Sequence, residues 1–348
     1  MTRRVRRAPG FRRGVGRVPE GGVFAPRRPA GCPASAGHVS QRRRLQGGAS
    51  REFYFRDTCD GWGSRILDVI GALISAERMG MRFAGVVAGR EPCSISHDVL
   101  IAPAMQAFFG FADESEMYVD AVPNGTQSFR SLGDLQEQLE KGAIGDGARV
   151  CLDRGEGLGD VIVGTQISPT ILASLRSRNT PLMQMHLAHF RSHIFHVAVH
   201  VRRDDVFSGS SAGMQRFTRD EWYIWLMNIM REKVPHAEFH VFSSLGSRGL
   251  HTSEDFDVYR NWGAIVHLDT EARETMAYMA RADVLVTAKS TFSYVSALLN
   301  PNCVLFQRWK RKMPEWVELP LTRQGGINKG EVLIHQIASC MERQAIAR

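Results

Sequence analysis

The sequence predicts an α/β protein with two Rossmann-like lobes, each built around a parallel sheet. Two series of short apolar segments alternate with amphipathic segments, one beginning at residue 52 and one at residue 194. Strands that alternate with helices in this way form βαβ units, and the strands of such units run parallel. A less legible stretch, 92–190, separates the two series. We therefore predict an N-terminal lobe over 51–190 and a C-terminal lobe over 191–348.

The first 50 residues differ in composition from the rest of the chain. They hold twelve Arg, no Lys and one acidic residue, which gives them a charge of +11, whereas the whole chain carries +8 and the remainder therefore −3. Gly and Pro are frequent and apolar runs are short, so this segment cannot bury enough surface to fold alone. We predict a disordered Arg-rich leader over 1–50, with a transit peptide or an RNA-binding tail as alternatives.

Several classes of protein are disfavoured by composition. The 348 residues, 43% hydrophobic and 23% charged, are typical of a soluble globular chain with room for two domains. No run of about 18 apolar residues is present, so no transmembrane segment is predicted. Since the body is close to neutral, a nucleic-acid partner is unlikely on this evidence. The six Cys are scattered without a CxxC pair, which predicts no metal site and leaves the disulfide state and the redox compartment open.

The first series begins with the strand EFYFR at 52–56. A helix at 65–80 follows, because its apolar residues recur at helical spacing on one face, namely Ile66, Val69, Ile70, Leu73 and Ile74. The next strand is MRFAGVVAG, at 81–89. In the less legible stretch the pattern predicts helices near 97–109, 133–141 and 168–178, and a strand at 148–153.

The second series is more regular. Its strands are predicted at 194–201, 237–244, 263–269, 283–288 and 303–307, and its helices at 218–234, 270–282 and 290–300. Thr218 and Glu221 stand three residues apart at the start of the first of these helices. This spacing indicates a capping box.

A cluster of charge follows the strand at 194–201. The segment HVRRDD places Arg202 and Arg203 beside Asp204 and Asp205. In open parallel sheets, ligands bind beyond the carboxyl ends of the strands. One guanidinium is expected to face an anion while the other is held by Asp204 or Asp205, and the planar fork of Arg suits the paired oxygens of a diphosphate. The alternative is a solvated loop with local ion pairs.

A second polar feature follows the strand at 283–288. Lys289, Ser290 and Thr291 stand where a helix begins, and a helix amino terminus offers free N–H groups and partial positive charge to a phosphate. A plain N-cap is the alternative for Ser290 and Thr291. Together with the arginine pair, this helix start would form the second side of a diphosphate clamp.

These segments resemble a known family. HVRRDD and KSTFSYVSALLN, at 289–300, are similar to the HxRRxD-type motif and the Ser-Ser/Thr-Phe-Ser helix start of the GDP-fucose-dependent fucosyltransferase superfamily, with its α1,2-, α1,6- and protein O-fucosyltransferase branches. DGWGSRILDVIGALISAERMG, at 60–80, is similar to the Gly-x-Gly-Asn-Arg/Gln loop and helix of that family. The three segments occur in the family's order, and the resemblance covers 52–80 and 194–310.

The resemblance implies a GT-B fold, with two Rossmann-like lobes facing a central cleft. It implies an inverting, metal-independent glycosyltransferase that needs no cofactor. The enzyme would transfer fucose from GDP-fucose to a hydroxyl of a glycan or glycoprotein. The lobe over 51–190 would bind the acceptor and the lobe over 191–348 the nucleotide-sugar donor.

Site residues are implied by position in the motifs. Arg202 would contact the donor phosphates, and Asp205 would orient the guanidiniums; these are the two residues expected to act in catalysis. The resemblance implies that eleven further residues bind the donor: Gly61, Gly63, Ser64, Arg65, His200, Arg203, Ser243, Ser290, Thr291, Phe292 and Ser293. No general base is singled out, and Asp205 or a carboxylate of the stretch 92–190 are alternatives.

Four residues depart from the family pattern, and other interpretations therefore stay open. Ser64 stands where the family usually has Asn near the donor sugar, Ser243 and Ser244 stand where many relatives have an acidic pair, and Thr275 stands at another acidic position. The alternatives are a GT-B enzyme that uses another nucleotide-sugar and a non-catalytic relative that binds a sugar nucleotide or glycan. Relatives act in the Golgi or the ER lumen, which the resemblance implies here although no signal or anchor is visible.

Histidines also cluster before and within the strand at 194–201. His189 and His193 have the i, i+4 spacing that can bind zinc on a helix. No carboxylate or Cys of the segment completes a recognised zinc motif. We therefore predict no metal site and interpret these histidines as packed or solvated side chains.

Overall fold

Two separate sheets form, one from each series of strands, and every strand pairing in both sheets is parallel. The structure is a computed structural model. It describes residues 50–57, 61–87, 118–119, 121–153, 158–159, 161, 167, 169–178, 180–206, 215–246, 249–310, 312–319 and 331–346.

The strands are short and mostly buried. In chain order they are β1 Glu52–Arg56, β2 Arg82–Val87, β3 Tyr118–Val119, β4 Gln127–Phe129, β5 Arg149–Leu152, β6 His196–His200, β7 Glu238–Ser243, β8 Ile265–Leu268, β9 Val284–Val286, β10 Cys303–Gln307 and β11 Val317–Leu319.

Helices connect these strands and cover the faces of the sheets. They are α1 Trp62–Arg78, α2 Leu132–Glu140, α3 Pro169–Arg178, α4 Thr180–Met183, α5 Asp220–Lys233, α6 Asp257–Trp262, α7 Ala272–Arg281, α8 Thr291–Leu299 and α9 Glu331–Ile346, with a short 3-10 turn over Ser253–Phe256. Among the residues that the structure describes, no helix has the length and apolarity that a membrane span requires.

The second sheet has the strand order β11-β10-β9-β6-β7-β8. The chain starts at the centre with β6, adds β7 and β8 on one side, and then crosses to β9, β10 and β11 on the other. This is the doubly wound order of the Rossmann fold, and its switch point lies between β6 and β9. The loops after these two strands therefore border the crevice where such sheets bind ligands.

The first sheet has the order β3-β2-β1-β5-β4, so it changes direction between β1 and β5. The middle of β1 is buried on both faces, as its continuous apolar run requires. The loop after β1 leads into α1, which packs its apolar face onto the sheet. Ile66, Val69 and Ile70 of that face are almost fully buried.

One apolar core connects the two sheets. The largest buried cluster contains Phe53 and Ile66 from the first series of elements and Ala198, Tyr278 and Leu298 from the second. A second cluster lies on the other face of the second sheet and holds Trp222, Met227 and Phe239. The two sheets are therefore joined through shared apolar burial rather than only through a linker.

Helix α8 is contacted at its carboxyl end by the first half of the chain. The guanidinium of Arg176, on α3, donates to the carbonyl oxygens of Leu298 and Asn300, at 3.1 Å each. These carbonyls belong to the last turn of the helix, where no intrahelical donor remains. Arg176 therefore acts as a side-chain cap for α8.

The structure confirms the predicted fold class, α/β with two Rossmann-like parallel sheets, the arrangement of the predicted GT-B class. Six helices and strands were not predicted: β3, β4, β11, α4, α6 and α9. The helix predicted at 97–109 and the leader predicted over 1–50 lie outside the described residues, except for Ser50.

The predicted capping box at Thr218 is wrong. Helix α5 begins at Asp220 with Arg219 as its N-cap. The Thr218 hydroxyl is buried and donates instead to Oε1 of Gln307 on β10, at 2.9 Å. A tertiary hydrogen bond has replaced the local one.

A disulfide joins Cys303 on β10 to Cys340 on α9. The scattered spacing of the cysteines did not reveal it, because the two residues are 37 positions apart. Within the described residues, Cys151 is a free and buried thiol.

Candidate functional site

The amino termini of α1 and α8 meet at the carboxyl edges of the sheets. The Ser64 hydroxyl, in the first turn of α1, lies 3.3 Å from the Thr291 hydroxyl at the start of α8. Each helix presents amino-terminal N–H groups and partial positive charge at its first turn. Their convergence concentrates positive potential in one place without a charged side chain.

Gly63 makes this close approach possible. A Cβ atom at residue 63 would lie 2.3 Å from the backbone nitrogen of Phe292 and 2.6 Å from the carbonyl carbon of Thr291. Only a residue without a side chain fits there. The α-carbon of Gly63 thus faces the backbone of α8, and its contact with a donor stays a prediction.

Arg202 follows β6 and is held by Asp205. Its Nη2 donates to both carboxylate oxygens at 2.9 Å, and its Nε donates to Oδ1 at 3.1 Å. The arginine side chain is 18% exposed and the aspartate side chain 40% exposed. The predicted orientation of Arg202 by Asp205 matches this geometry, because a carboxylate that binds the guanidinium at several points fixes its plane.

Arg203 has different surroundings from Arg202. Its Nη2 donates to Asp220 on α5, its Nη1 donates to the Arg202 carbonyl oxygen at 3.0 Å, and its guanidinium carbon lies 4.5 Å from the centre of the Phe217 ring. The residue is 4% exposed. We had expected Asp204 or Asp205 to hold the second arginine. Asp220 does so instead, because the packing of α5 brings it next to the strand end.

His200 ends β6 and is buried beside α8. Its ring centre lies 5.9 Å from that of Phe292. Burial, with a smaller contribution from the Arg202 charge, lowers the pKa of His200 to about 3. The imidazole is therefore neutral at physiological pH. Its Nδ1 is buried and has no hydrogen-bond partner in the part of the chain that the structure describes.

The first turn of α8 is fixed by its own serines. The Ser290 hydroxyl accepts from the N–H of Phe292 at 3.3 Å, which makes Ser290 the N-cap. The Ser293 hydroxyl accepts from the Ala288 N–H at 3.2 Å and donates to the Ala288 carbonyl oxygen at 3.3 Å. Ser293 is fully buried and holds the turn, and the donor contact predicted for it stays a prediction.

Arg65 and Ser243 also bind the protein rather than facing outward. Nε and Nη2 of the Arg65 guanidinium donate to the two carboxylate oxygens of Asp57, which follows β1. The Ser243 hydroxyl donates to the carbonyl oxygen of Val201 at 2.6 Å. In this structure Arg65 and Ser243 support the loops of the site, and their contact with a donor stays a prediction.

The structure brings the three predicted segments together. Ser64 and Thr291 are linked at 3.3 Å, and the rings of His200 and Phe292, tilted by 57° to each other, have centres 5.9 Å apart near the same helix start. Gly61 is the N-cap of α1, with open space around its α-carbon. Arg202 and Asp205 follow His200 directly in the chain. The candidate site therefore lies at the β6–β9 switch point and faces the start of α1.

Three residues at the site were not assigned a role there from the sequence. Asp57 and Asp220 hold the two buried arginines, and Lys289 donates from its ammonium group to the Gln215 carbonyl oxygen at 2.9 Å. Burial lowers the pKa of Lys289. Position after a strand was an available signal for Asp57 and Lys289. Nothing in the local sequence distinguishes Asp220 from the other acidic residues at helix starts.

The predicted histidine pair does not form a helical metal site. His189 and His193 both lie in turns between α4 and β6 and are exposed. The interpretation that they are solvated is consistent with this placement.

The fold and the site together define an α/β protein with two parallel sheets and a candidate anion-binding site at converging helix amino termini. No protein-family model matches the chain, and no curated protein matches it.

Several solved structures are similar to the chain at low levels. The E. coli heptosyltransferase WaaC with ADP has 11% sequence identity and a TM-score of 0.44, with 84% of this chain and 99% of that chain covered. POFUT1 in complex with GDP has 12% identity and a TM-score of 0.40, with 74% and 99% covered. The glycosyl transferase family 9 protein from Veillonella parvula has 12% identity and a TM-score of 0.41, with 87% and 99% covered. At these scores the similarities do not identify the activity of this chain.

Proposed function

We propose that the chain is a GT-B glycosyltransferase that binds the diphosphate of a nucleotide-sugar donor between α1, α8 and Arg202. The observation that carries this proposal is the convergence of three separate chain segments on one switch point. Gly61 to Arg65, His200 to Asp205 and Ser290 to Ser293 meet there, joined by the 3.3 Å contact between Ser64 and Thr291.

A diphosphate suits the charges of this place. The N–H groups at the start of α8 and the Arg202 guanidinium are donors that match phosphate oxygens. Arg202 is partly exposed, whereas Arg203 is buried against Asp220 and Phe217. Arg202 is therefore the arginine that would reach the donor, with Asp205 fixing its direction. His200, neutral at physiological pH, would contribute a hydrogen bond rather than a charge.

The reaction would be the attack of an acceptor hydroxyl on the anomeric carbon of the donor sugar. The bond between that carbon and the diphosphate oxygen breaks, and the nucleoside diphosphate leaves with the electron pair. Arg202 and the α8 amino terminus would stabilise the negative charge that develops on it, as prearranged donors do in many enzymes. Both oxygens of Asp205 are engaged by Arg202, which favours an orienting role over that of a general base.

We propose fucose from GDP-fucose as the transferred group, and a glycan or glycoprotein hydroxyl as the acceptor. The support is the similarity of residues 200–205, 289–300 and 60–80 to the fucosyltransferase motifs. In this proposal residues 51–190 bind the acceptor and residues 191–348 bind the donor. Because positive groups of the protein face the diphosphate, transfer would require neither Mg²⁺ nor Mn²⁺.

The test is a thermal-shift series with GDP, GDP-fucose, GDP-mannose, UDP-sugars and an ADP-sugar on the full chain. We expect GDP and GDP-fucose to raise the melting temperature. Arg202→Ala should abolish this increase while the melting temperature without nucleotide stays close to that of the wild type. Donor hydrolysis or transfer should be measurable in the wild type and should not increase when Mg²⁺ or Mn²⁺ is added.

Arg260→Ala is the matched control. Arg260 pairs with Asp257 three residues away, just as Arg202 pairs with Asp205, but it lies on α6 outside the site. Its loss should leave the nucleotide response unchanged. An absence of response to every nucleotide would refute the proposal, and a response to ADP-sugars or UDP-sugars alone would refute GDP-fucose as the donor.

A second function, sugar-nucleotide binding without turnover, is favoured by one observation. Ser64 replaces the family's Asn and uses its hydroxyl on Thr291, a contact within the protein rather than with a sugar. Stabilisation by GDP-fucose with no hydrolysis and no transfer to any acceptor would identify this case.

A further inference from the structure

Two histidines and a glutamate lie together at the amino end of the second sheet, opposite the candidate donor site. His196 opens β6, and Glu238 and His240 are the first and third residues of β7. His196 is paired in register with Glu238, and residues two apart on a strand share a face. The three side chains therefore lie on the same face of the sheet.

The spacing of their ligand atoms matches a metal ion. Nδ1 of His196 lies 3.1 Å from Nε2 of His240, and these nitrogens lie 3.8 and 3.9 Å from Oε2 of Glu238. The point equidistant from the three atoms is about 2.1 Å from each of them, as the three separations require. Zinc binds imidazole nitrogen and carboxylate oxygen at about 2.0–2.2 Å.

The opposite nitrogens of both rings have partners that orient them as ligands. Nε2 of His196 lies 3.0 Å from the Arg191 carbonyl oxygen. A carbonyl only accepts, so this nitrogen carries the proton and Nδ1 keeps a lone pair. Nδ1 of His240 lies 3.1 Å from Nε2 of His267, to which it can donate a hydrogen bond. In that tautomer the Nε2 lone pair of His240 is available, and a metal ion would take the place of the hydrogen bond between His240 Nε2 and His196 Nδ1. Metal-binding histidines commonly donate their second N–H in this way.

One carboxylate oxygen of Glu238 is available to bind a metal ion. Its Oε1 accepts from Arg191 Nη2 at 2.9 Å. Its Oε2 is buried and has no hydrogen-bond partner within the described ranges of the chain. A buried carboxylate oxygen without a partner is costly, and a cation at the centre of the three atoms would satisfy it.

An aromatic ring covers the two histidines, and charged residues lie nearby. The Phe190 ring stacks on His196 with its centre 4.1 Å away and lies 5.0 Å from His240. Asp283, whose carboxylate accepts from the His196 backbone N–H at 2.7 Å, adds a second negative charge near the site. Arg191 is the nearby cation, and its largely exposed guanidinium is screened by solvent.

We propose that His196, Glu238 and His240 form a zinc(II) site with a fourth position open to water. Two imidazoles and one carboxylate are a ligand set that zinc accepts. The site connects β6, β7 and the loop that contains Arg191. His196 and His200 are at opposite ends of β6, about 13 Å apart at the strand rise per residue, so the ion is remote from the proposed diphosphate site.

The test uses the full chain, stripped with a chelator and dialysed. Titration with Zn²⁺ against a chromogenic competitor should show one tight site per chain, and Zn²⁺ should raise the melting temperature. Co²⁺ loaded in its place should give visible absorption of a four- or five-coordinate ion without a thiolate charge-transfer band. Glu238→Gln, which retains an oxygen for Arg191 but loses the charge, should weaken zinc binding at least about 10-fold.

His193→Gln is the matched control, because this exposed histidine belongs to the same histidine-rich segment but lies in a turn. It should leave zinc affinity unchanged. Equal zinc affinity in the wild type and Glu238→Gln, or a thiolate band with Co²⁺, would overturn the proposal. Because Glu238 is partly exposed, Glu238→Gln should still fold, even if a substitution of the fully buried His240 prevents folding. The GDP response of the Glu238→Gln protein separates this test from that of the proposed function.

Discussion

Two arginines that are neighbours in the chain have opposite environments, and this difference assigns them different roles. Arg202 is partly exposed and bound by a carboxylate that is itself exposed, whereas Arg203 is buried between Asp220 and Phe217. The loss of a partner is tolerated by an arginine that water can reach. It is costly for one that water cannot reach.

We therefore expect Asp220→Ala and Asp205→Ala to separate stability from binding. Asp220→Ala leaves the Arg203 charge buried without its carboxylate and should lower the free energy of unfolding by about 3 kcal/mol. Asp205→Ala should cost less than about 1 kcal/mol but weaken the nucleotide response, because Arg202 loses its orientation. Urea unfolding and nucleotide thermal shifts on both variants measure the two effects. Equal stability losses in the two variants would contradict this assignment.

The buried His200 makes stability depend on pH in a defined direction. The pKa of the folded residue is lowered to about 3, against about 6.5 when unfolded, and Arg202 is the charged group that contributes to this shift after burial. The unfolded chain therefore binds a proton that the folded chain refuses. The stabilisation is complete above pH 6.5 and is lost as the pH falls from there towards 3.

At pH 5 this difference amounts to about 2 kcal/mol of stability for His200 alone. His200→Gln should remove that component, so the gap in unfolding free energy between wild type and variant should shrink by this amount between pH 7 and pH 5. Urea titrations at both pH values measure the gap. A gap that stays constant would show that His200 titrates normally in the folded protein.

For single residues, the sequence predicted the location of the site residues better than it predicted their hydrogen-bond partners. Arg202, Asp205 and Thr291 were predicted at a common edge, because loops after parallel strands converge. The partners of Arg203 and Thr218 were not predictable, since Asp220 and Gln307 reach them only after α5 and β10 have packed. Local patterns describe neighbours in the chain, and these partners are neighbours only in space.

At the scale of elements, the contact between α1 and α8 depends on one glycine. Gly63 faces the Phe292 nitrogen and has no room for a side chain, whereas Gly61, two residues earlier, has no atom within 4 Å of the place where a Cβ would stand. The φ angle of Gly61, −63°, is also one that any residue can adopt.

We expect Gly63→Ala to lower the free energy of unfolding by about 1–3 kcal/mol, the usual cost of forcing extra atoms into a packed contact. Gly61→Ala, the control, should leave stability unchanged within about 0.5 kcal/mol. Thermal and urea unfolding of both variants tests this. A Gly63→Ala protein as stable as the control would mean that α1 and α8 do not touch as described.

The elements that the sequence predicted well are those buried in the middle of a sheet. β6, β7 and β9 are short apolar runs bounded by polar turns, which indicate a strand by composition alone. β3, β4 and β11 have only two or three residues each and lie at or next to sheet edges. Such short segments form because a neighbouring strand offers hydrogen bonds, and no periodicity of their own announces them.

At the scale of the whole molecule, a disulfide fixes the last helix to the second sheet. Cys303 lies on β10 and Cys340 on α9, both buried. A covalent link between residues 37 positions apart restricts the unfolded chain and should contribute about 2–4 kcal/mol.

We expect a reducing agent to lower the melting temperature of the wild type. Cys340→Ser should start from a lower value and not respond to the reductant. Cys151→Ser removes a free thiol and should respond as the wild type does. Titration of free thiols under denaturing conditions gives the number of cysteines that are not in a disulfide. A wild type that is insensitive to reduction would mean that the two sulfurs are not bonded.

The shared core is the property that the sequence revealed least. The two series of elements predicted two lobes, and Phe53 and Ile66 of the first series pack in the same cluster as Tyr278 and Leu298 of the second. Helical and strand periodicity identify which face of an element is apolar. They do not identify the element that covers it.

Helix α8 has a mechanical consequence of its own. Its first turn packs against Gly63, and its last carbonyl oxygens accept hydrogen bonds from Arg176. Both ends of the helix therefore contact the part of the chain that precedes the second sheet. Helix α8 can therefore separate from the preceding part of the chain only if the contacts at both of its ends are lost together. A motion that separates the two sheets must therefore either break both contacts together or move α8 as well, and it would then shift Thr291 and the candidate site.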